Sequence, residues 1–274
     1  MEKSIRAAFG KAAHLRHFAV NMLWIGPKLG RLEQLSIRSF LAAGHEVRLH
    51  SYEAVENVPA GVVTCDAAKT LPYPEAVALR HRQTGSFALA SDLFRYRLMI
   101  AQEGVWSDTD VVCMRPLKFD GGHVFGWESS RRINGAVLLL PKDSPILLDL
   151  LRAFQPNFIP PWLSLKRKAP FFWRRMKGRD FGPADLPWGT FGPRALTYLA
   201  RKHGLEREAK AQSAFYPVPL RDARRIFDAD FTSRQANLTD SFTVHLWNER
   251  LKDIKDLPPA PGSLLDLWYS KFGV

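Results

Sequence analysis

Short apolar runs alternate with stretches of helical spacing over the first part of the chain. Phe18 to Ile25 is apolar except for Asn21 and reads as a buried strand ended by Gly26-Pro27. Leu32, Leu35 and Phe40 recur at helical spacing within Leu29 to Ala43, and Gly44 stands where a helix end favours glycine. Val47 and Leu49 alternate in Glu46 to His50, a second strand. Strand, helix and strand in this order predict a parallel α/β sheet. Pro74 opens a helix running to about Thr84. Ser86 is placed to cap a longer one, Phe87 to Glu103, closed by Gly104. Strands follow at His123 to Trp127 and Gly135 to Leu140, then a helix from Ile146 to Phe154 begun by Ser144-Pro145. Thr190 to His203 reads as helix with Gly204 behind it. Phe215 to Val218 and Phe242 to Leu246 read as late strands, and Ser263 to Phe272 as a C-terminal helix. Residues 1–17 read as a basic amphipathic lead-in helix.

The pattern breaks down between Gln155 and Trp188. Prolines, aromatics and basic residues crowd there without periodicity, which suggests an insertion or lid (155–188) within a single domain spanning 1–274. Apolar residues make up 46% of the 274, and 8 Trp, 18 Phe and 6 Tyr exclude a disordered chain. No apolar run approaches the roughly 18 residues of a spanning helix. The basic N-terminus is not followed by a secretory h-region, so a cytoplasmic protein is expected. Cys65 and Cys113 are too few for a disulfide framework and read as two buried thiols. A net charge of +12 points to an anionic partner: nucleic acid, a membrane surface or a phosphorylated substrate.

Two sites of possible chemistry lie close together. Asp108 and Asp110 stand two apart in Trp106-Ser-Asp-Thr-Asp-Val-Val, directly after a short apolar piece. Such a pair can place hard carboxylate oxygens beside a divalent cation that also holds phosphate, and equally can be a solvated Asx turn. One helix upstream, Asp92 and Arg95 share a helix face in Ala90-Ser-Asp-Leu-Phe-Arg-Tyr-Arg. That helix is apolar almost all round, through Leu89, Leu93, Phe94, Leu98 and Met99, so it is expected to be buried. A charged pair inside it is costly unless paired or functional.

The combined run, Ser91-Asp92-x-x-Arg95 followed by Gly104-Val-Trp106-Ser-Asp108-Thr-Asp110, resembles the sugar-binding DXD region of a family of retaining glycosyltransferases. That family includes yeast Golgi mannosyltransferases, bacterial capsule and lipopolysaccharide transferases and, more distantly, the clostridial glucosylating toxins. Trp24-Ile25-Gly26 and His245-Leu-Trp247 resemble its N-terminal and C-terminal motifs, so the resemblance spans roughly residues 18–248. It implies an α/β fold of GT-A type, a Rossmann-like mixed sheet flanked by helices. It implies that Trp24 stacks on the nucleotide base and that Asp92 and Arg95 bind the donor sugar. Trp106 would lie by the sugar or diphosphate and Trp247 near the β-phosphate. Asp110 would ligate Mn²⁺ or Mg²⁺ directly, Asp108 through water or against the sugar and ribose, and His245 would complete the shell. Asp92, Arg95, Asp108 and Asp110 are thus the expected catalytic set. Trp127, Glu128 and Asn134 are expected on the acceptor side.

The activity so implied is metal-dependent transfer of a hexose, with retention, from a nucleoside-diphosphate sugar (UDP-sugar foremost) to a glycan or lipid-linked acceptor. The basic aromatic segment adds an expectation of its own. Pro160 to Leu165 and Phe171 to Trp173 would anchor the enzyme on an anionic membrane, the inner face of the plasma membrane, helped by seven Lys and Arg between 166 and 179. The same basic residues admit a lid over an anionic donor. Rival readings are a nucleic-acid binder, disfavoured because no nucleic-acid module signature appears, an inactive sugar-nucleotide-binding module, and a phosphohydrolase, which would bring more metal ligands.

Overall fold

Asn21, the one polar residue in the first apolar run, is fully buried and ties three segments together. Its amide donates to Glu103 O at 2.9 Å, and its Oδ1 meets His50 Nε2 at 2.9 Å. Burial, with Arg48 nearby, holds the His50 imidazole down to about 4, so the neutral ring donates to Asn21. The computed structural model describes residues 16–274 apart from 121 and 237.

The strands are β1 (Arg16–His17), β2 (Val20–Leu23), β3 (Val47–Ser51), β4 (Val63–Asp66), β5 (Val105–Ser107), β6 (Val111–Cys113), β7 (Lys118–Phe119), β8 (Val124–Ser129), β9 (Arg132–Leu139) and β10 (Thr243–His245). The helices are α1 (Arg31–Ala42), α2 (Tyr73–Ala78), α3 (Ala88–Ala101), α4 (Pro145–Arg152), α5 (Leu165–Met176), α6 (Pro193–Lys202), α7 (Gln212–Phe215), α8 (Asn248–Leu251) and α9 (Leu264–Phe272). A six-stranded sheet runs in the order β4-β3-β2-β5-β9-β8. Its first four strands are parallel, and β9 and β8 add antiparallel. This is the mixed α/β sheet flanked by helices that the resemblance implies; the strand-helix-strand pattern predicts its parallel part alone.

Two short ribbons stand apart from that sheet, β1 with β7 and β6 with β10. The second matters for the site. The chain leaves the main sheet at Ser107 and enters the ribbon at Val111, so Asp108-Thr109-Asp110 is the crossing between them. Helix α1 holds the ribbon in place: Ser36 Oγ donates to Val111 O at 2.7 Å, and Ser39 Oγ accepts from Cys113 N at 2.7 Å. Val112, Val244 and Leu246 are buried with Leu32 and Leu35 of α1 and Leu264, Leu265 and Trp268 of α9 in a second apolar core.

Several sequence expectations change. The helix expected from Pro74 to Thr84 ends at Ala78, and Phe215–Val218 is not a strand, because α7 runs into Phe215 and the chain turns after it. Strand β4 was not expected, because it lies at the sheet edge with Val63, Thr64 and Asp66 exposed and so lacks an apolar alternation. Helix α5 lies inside 155–188, hidden by Pro170 in its interior and by charge on most of its faces. Cys65 is partly exposed, so only Cys113 is a buried thiol. The lead-in helix falls outside the described residues except at Arg16–His17, which form β1.

Gly104 does not cap α3. Gln102 does so, in the left-handed conformation at φ 56°, and Gly104 turns the chain into β5 at φ 119°. A Cβ there would lie 2.3 Å from Ala19 O. Gly104→Ala is therefore expected to cost about 3 kcal/mol or more, from the strained φ and the clash with backbone together. Urea denaturation checks this; a loss below about 1 kcal/mol would show that β2 and β5 can separate locally at little cost.

Candidate active site

Asp108 is positioned by its neighbours on both sides of the crossing. Its backbone N–H donates to Ala136 O at 2.8 Å. Its Oδ1 accepts from Trp106 Nε1 at 2.7 Å and pairs with Arg95 Nη2 at 3.1 Å. Both contacts fall on one oxygen, which leaves Oδ2 to meet a ligand. Burial raises the Asp108 carboxyl above its ordinary range, against the pull of Arg95.

Asp110 is tied to the far end of the chain. β10 runs antiparallel to β6 with His245 opposite Val111. Leu246 N–H donates to Asp110 O, and Asn248 N–H to Asp110 Oδ2, both at 2.8 Å. His245 Nε2 lies 3.2 Å from Asp110 Oδ2. Burial works against both charges, but each is outweighed by the other: His245 lowers the Asp110 carboxyl, and Asp110 raises the His245 imidazole.

The three side chains expected to hold a metal thus come together. Ligand atoms of Asp108, Asp110 and His245 lie within 4.8 Å of one another. Bonds of about 2.1 Å to one ion put ligand atoms up to about 4.2 Å apart, so a small closure suffices. The two carboxylates are hard oxygen donors of the kind Mn²⁺ and Mg²⁺ take, and the imidazole beside them favours Mn²⁺ of the two. Two orphaned atoms fit the same reading: His245 Nδ1 and Asn248 Oδ1 are buried and find no partner among the described residues. Asn248 Nδ2 points to Glu33 Oε1 at 3.5 Å, which directs its oxygen the other way. Asn248 is a site residue that sequence reading missed. Only the left-handed turn at Trp247, φ 60°, folds it back against Asp110.

Arg95 sits differently from expectation. Its guanidinium donates to Gly135 O at 2.9 Å, Ser91 Oγ at 3.2 Å and Ser91 O at 3.4 Å, besides pairing with Asp108 and lying 4.8 Å from the Trp106 ring centre. Little of its donor capacity remains for a sugar. Asp92 is the freer of the pair, 3.6 Å from Arg95 Nη2, and burial raises its carboxyl to about 6. Trp106 lines the cleft but is only 1% exposed, and its indole N–H is spent on Asp108. Trp247 spends its indole N–H on Val218 O at 2.9 Å and packs its ring 4.1 Å from that of His245, so it has no donor for a β-phosphate.

A cleft of about 800 Å³ opens over these residues at the carboxyl ends of β2 and β5. Trp24 lines it beyond the end of β2, with Nε1 buried and unpartnered among the described residues. Glu128 and Asn134 line it too, joined at 2.7 Å, whereas Trp127 lines no part of it and carries Arg201 over its ring instead. The stretch from Pro183 to Arg194, leading into α6, forms a wall, and a Cβ on Gly192 would lie 3.7 Å from Asp92 Oδ2. Helix α5 lines no part of the cleft. Of the segment 155–188, only its last residues face the site.

Residues 166–272 match the alpha 1,4-glycosyltransferase conserved region. The match takes in His245, Trp247 and Asn248 but stops short of Asp108 and Asp110, and it supports a sugar-transferring enzyme. Among solved structures, the chain is similar to the PaToxG glycosyltransferase at 13% identity and a TM-score of 0.45, over 94% of this chain and 87% of that one.

Proposed function

We propose that the protein is a metal-dependent glycosyltransferase that moves a hexose from a nucleoside-diphosphate sugar, UDP-sugar foremost, to a glycan or lipid-linked acceptor with retention. The observation that carries this reading is the meeting of Asp108 and Asp110 with His245, which lies 135 residues beyond Asp110 in sequence, beneath a cleft of about 800 Å³. A nucleotide sugar fits a cavity of that size. Trp24 offers the flat face for a base and an indole N–H to satisfy. Asp92, raised to about 6, accepts hydrogen bonds from sugar hydroxyls as a carboxylate at neutral pH. Arg95 serves as a positioning residue that keeps Asp108 ionised and oriented. A divalent ion held by Asp108, Asp110 and His245, with Asn248 beside them, supplies charge to neutralise a departing diphosphate. Retention rests on the family resemblance; Glu128 is engaged by Asn134 and by Arg132 at 3.4 Å.

The test is a panel of nucleotide sugars incubated with Mn²⁺ and scored by released nucleoside diphosphate. One or more donors should turn over, and chelation should stop the release. No release from any donor, and no binding of any nucleoside diphosphate with Mn²⁺, would remove the reading.

Helix α5 favours a place for the enzyme at an anionic membrane. Leu165, Phe172, Trp173 and Met176 share one face and are exposed, Leu165 by 83% and Met176 by 77%. Lys166, Arg167, Arg175 and Lys177 are exposed around that face. Apolar side chains ringed by cations match a headgroup layer. The anchor set differs from the one expected. Trp162, Leu163 and Phe171 pack into the core, and Arg174 is drawn to Asp180 O and Asp185. No helix among the described residues is long and apolar enough to cross a membrane. The protein is expected to float with vesicles containing phosphatidylserine at low salt, and Trp173→Glu with Lys177→Glu should abolish flotation. Flotation equal to that on neutral vesicles would refute this placement.

A further inference from the structure

A second cavity, of about 650 Å³, adjoins the cleft and is charged with one sign. Its lining holds Arg131, Arg132, Arg194, Arg201 and Lys202 and no acidic residue. Arg132 and Arg194 line both cavities, so the two spaces share a wall. Some of this charge is already used. Lys202 is held by Asp149 at 2.7 Å, and Arg132 by Glu128 at 3.4 Å. Among the described residues Arg201 meets no carboxylate: it donates to Arg131 O at 3.4 Å and lies over the Trp127 ring. The side chains of Arg131 and Arg194 have no acidic partner among the described residues. Arg194 is depressed from its ordinary range by burial and by the charges of Arg167 and Arg132. Clustered guanidinium groups repel one another unless an anion lies between them, and their planar forks match phosphate and carboxylate oxygens.

The other walls are aromatic. The rings of Trp162 and Tyr198 lie 5.7 Å apart between centres, at 47°. Trp162 is fixed in place, since its Nε1 donates to Thr190 O at 2.7 Å. Flat aromatic faces beside guanidinium groups suit a sugar ring that carries an anionic group.

We infer that this second cavity is the acceptor subsite and that the acceptor is a phosphate-bearing sugar, held by Arg131, Arg194 and Arg201 with its ring against Trp162 and Tyr198. The inference rests on the glycosyl-transfer reading of the cleft and adds the chemical class of the acceptor. Its accepting hydroxyl enters the cleft past Arg132 and Arg194, the residues common to both spaces. A neutral acceptor would leave the guanidinium cluster unmatched.

Titration of the whole protein by tryptophan fluorescence, with UDP and Mn²⁺ present to fill the donor cleft, tests it. The probes are glucose 6-phosphate, glucuronate, glucose and inorganic phosphate. Glucose 6-phosphate should bind about tenfold or more tightly than glucose and more tightly than inorganic phosphate, because charge-assisted hydrogen bonds and the ring contact act together. Arg131→Ala with Arg201→Ala should remove that preference while UDP affinity, measured separately, is kept. Arg131→Lys with Arg201→Lys, which keeps the charge and the fold, should restore part of it. Equal binding of glucose 6-phosphate and glucose overturns the proposal. Equal binding of glucose 6-phosphate and inorganic phosphate overturns the acceptor assignment. Tighter binding of glucuronate replaces the phosphate with a carboxylate and overturns the stated class. A parallel loss of UDP affinity in the alanine variant overturns it too, since the arginines would then serve the donor. If UDP fails to bind the unaltered protein while glucose 6-phosphate keeps its preference, the donor reading is what fails and the anion site stands.

Discussion

Asp110→Asn is expected to lower sugar-transfer turnover by about 10²-fold or more, the size of effect seen when one group that stabilises developing charge is removed. The side chain keeps its volume, so the hydrogen bond from Asn248 N–H has an oxygen to meet and the β6–β10 ribbon stays in register. What disappears is the negative charge that faces His245 and a divalent ion together. The His245 imidazole loses the carboxylate that faces it, and the ion loses one of two carboxylates. Apparent Mn²⁺ affinity should therefore fall along with turnover, while the thermal midpoint changes by only a few degrees. Turnover at different Mn²⁺ concentrations in chelator-treated buffer reads both effects. Unchanged turnover with trace metal removed would sink the assignment of Asp110 as a ligand.

Arg95→Ala should damage both the fold and the site. Arg95 and Asp108 side chains are exposed by only 11% and 27%, and Arg95 is the cation that faces Asp108 at 3.1 Å. Removing it strands a largely buried carboxylate and unties Ser91 and Gly135 O, a loss of about 3 kcal/mol. Asp108, with burial already raising its carboxyl, then takes up a proton more readily and serves less well as a ligand. Arg95→Lys keeps the charge but lacks the planar fork that spans Gly135 O, Ser91 and Asp108, so it should recover stability more fully than activity. Denaturation, Mn²⁺ titration and turnover on the same variants separate the roles. An Arg95→Ala protein that melts and binds Mn²⁺ as the parent does, with only donor KM raised, would return Arg95 to the sugar-contacting role that its sequence neighbourhood suggests.

Local patterns along the chain were enough to place the parallel strands β2 and β3 and helices α1 and α3. Each is a contiguous segment whose own spacing decides which face is buried, as with Leu32, Leu35 and Phe40 in α1. Where burial is partial the signal fades. β4 exposes most of its side chains at the sheet edge, and α5 shows a charged surface with Pro170 inside it. Gly104 illustrates the limit at one residue. Its position suggested a helix end, yet it is required by the approach of Ala19 O, a contact 85 residues away that no local pattern records.

The residue types of the site were determined by sequence alone: two carboxylates across a strand end, a Ser-Asp-x-x-Arg helix before them, and a His-x-Trp far downstream. Their division of labour was decided by tertiary structure. Pairing of β10 with β6 carries His245 and Asn248 to Asp110, and the indole N–H of Trp247, a residue that lines the cleft, is spent on Val218 O. Arg95 looks like a free sugar-binding cation until Gly135 O, from β9 on the antiparallel side of the sheet, takes one arm of its fork and Asp108 the other. The basic cavity shared through Arg132 and Arg194 joins the start of β9 to the start of α6, some sixty residues apart, and had no local signature. The physical reason is common to all of these. Spacing along a chain sets which face of an element is apolar, whereas a polar group's partner is set by whichever distant segment brings the matching charge or carbonyl within hydrogen-bond reach.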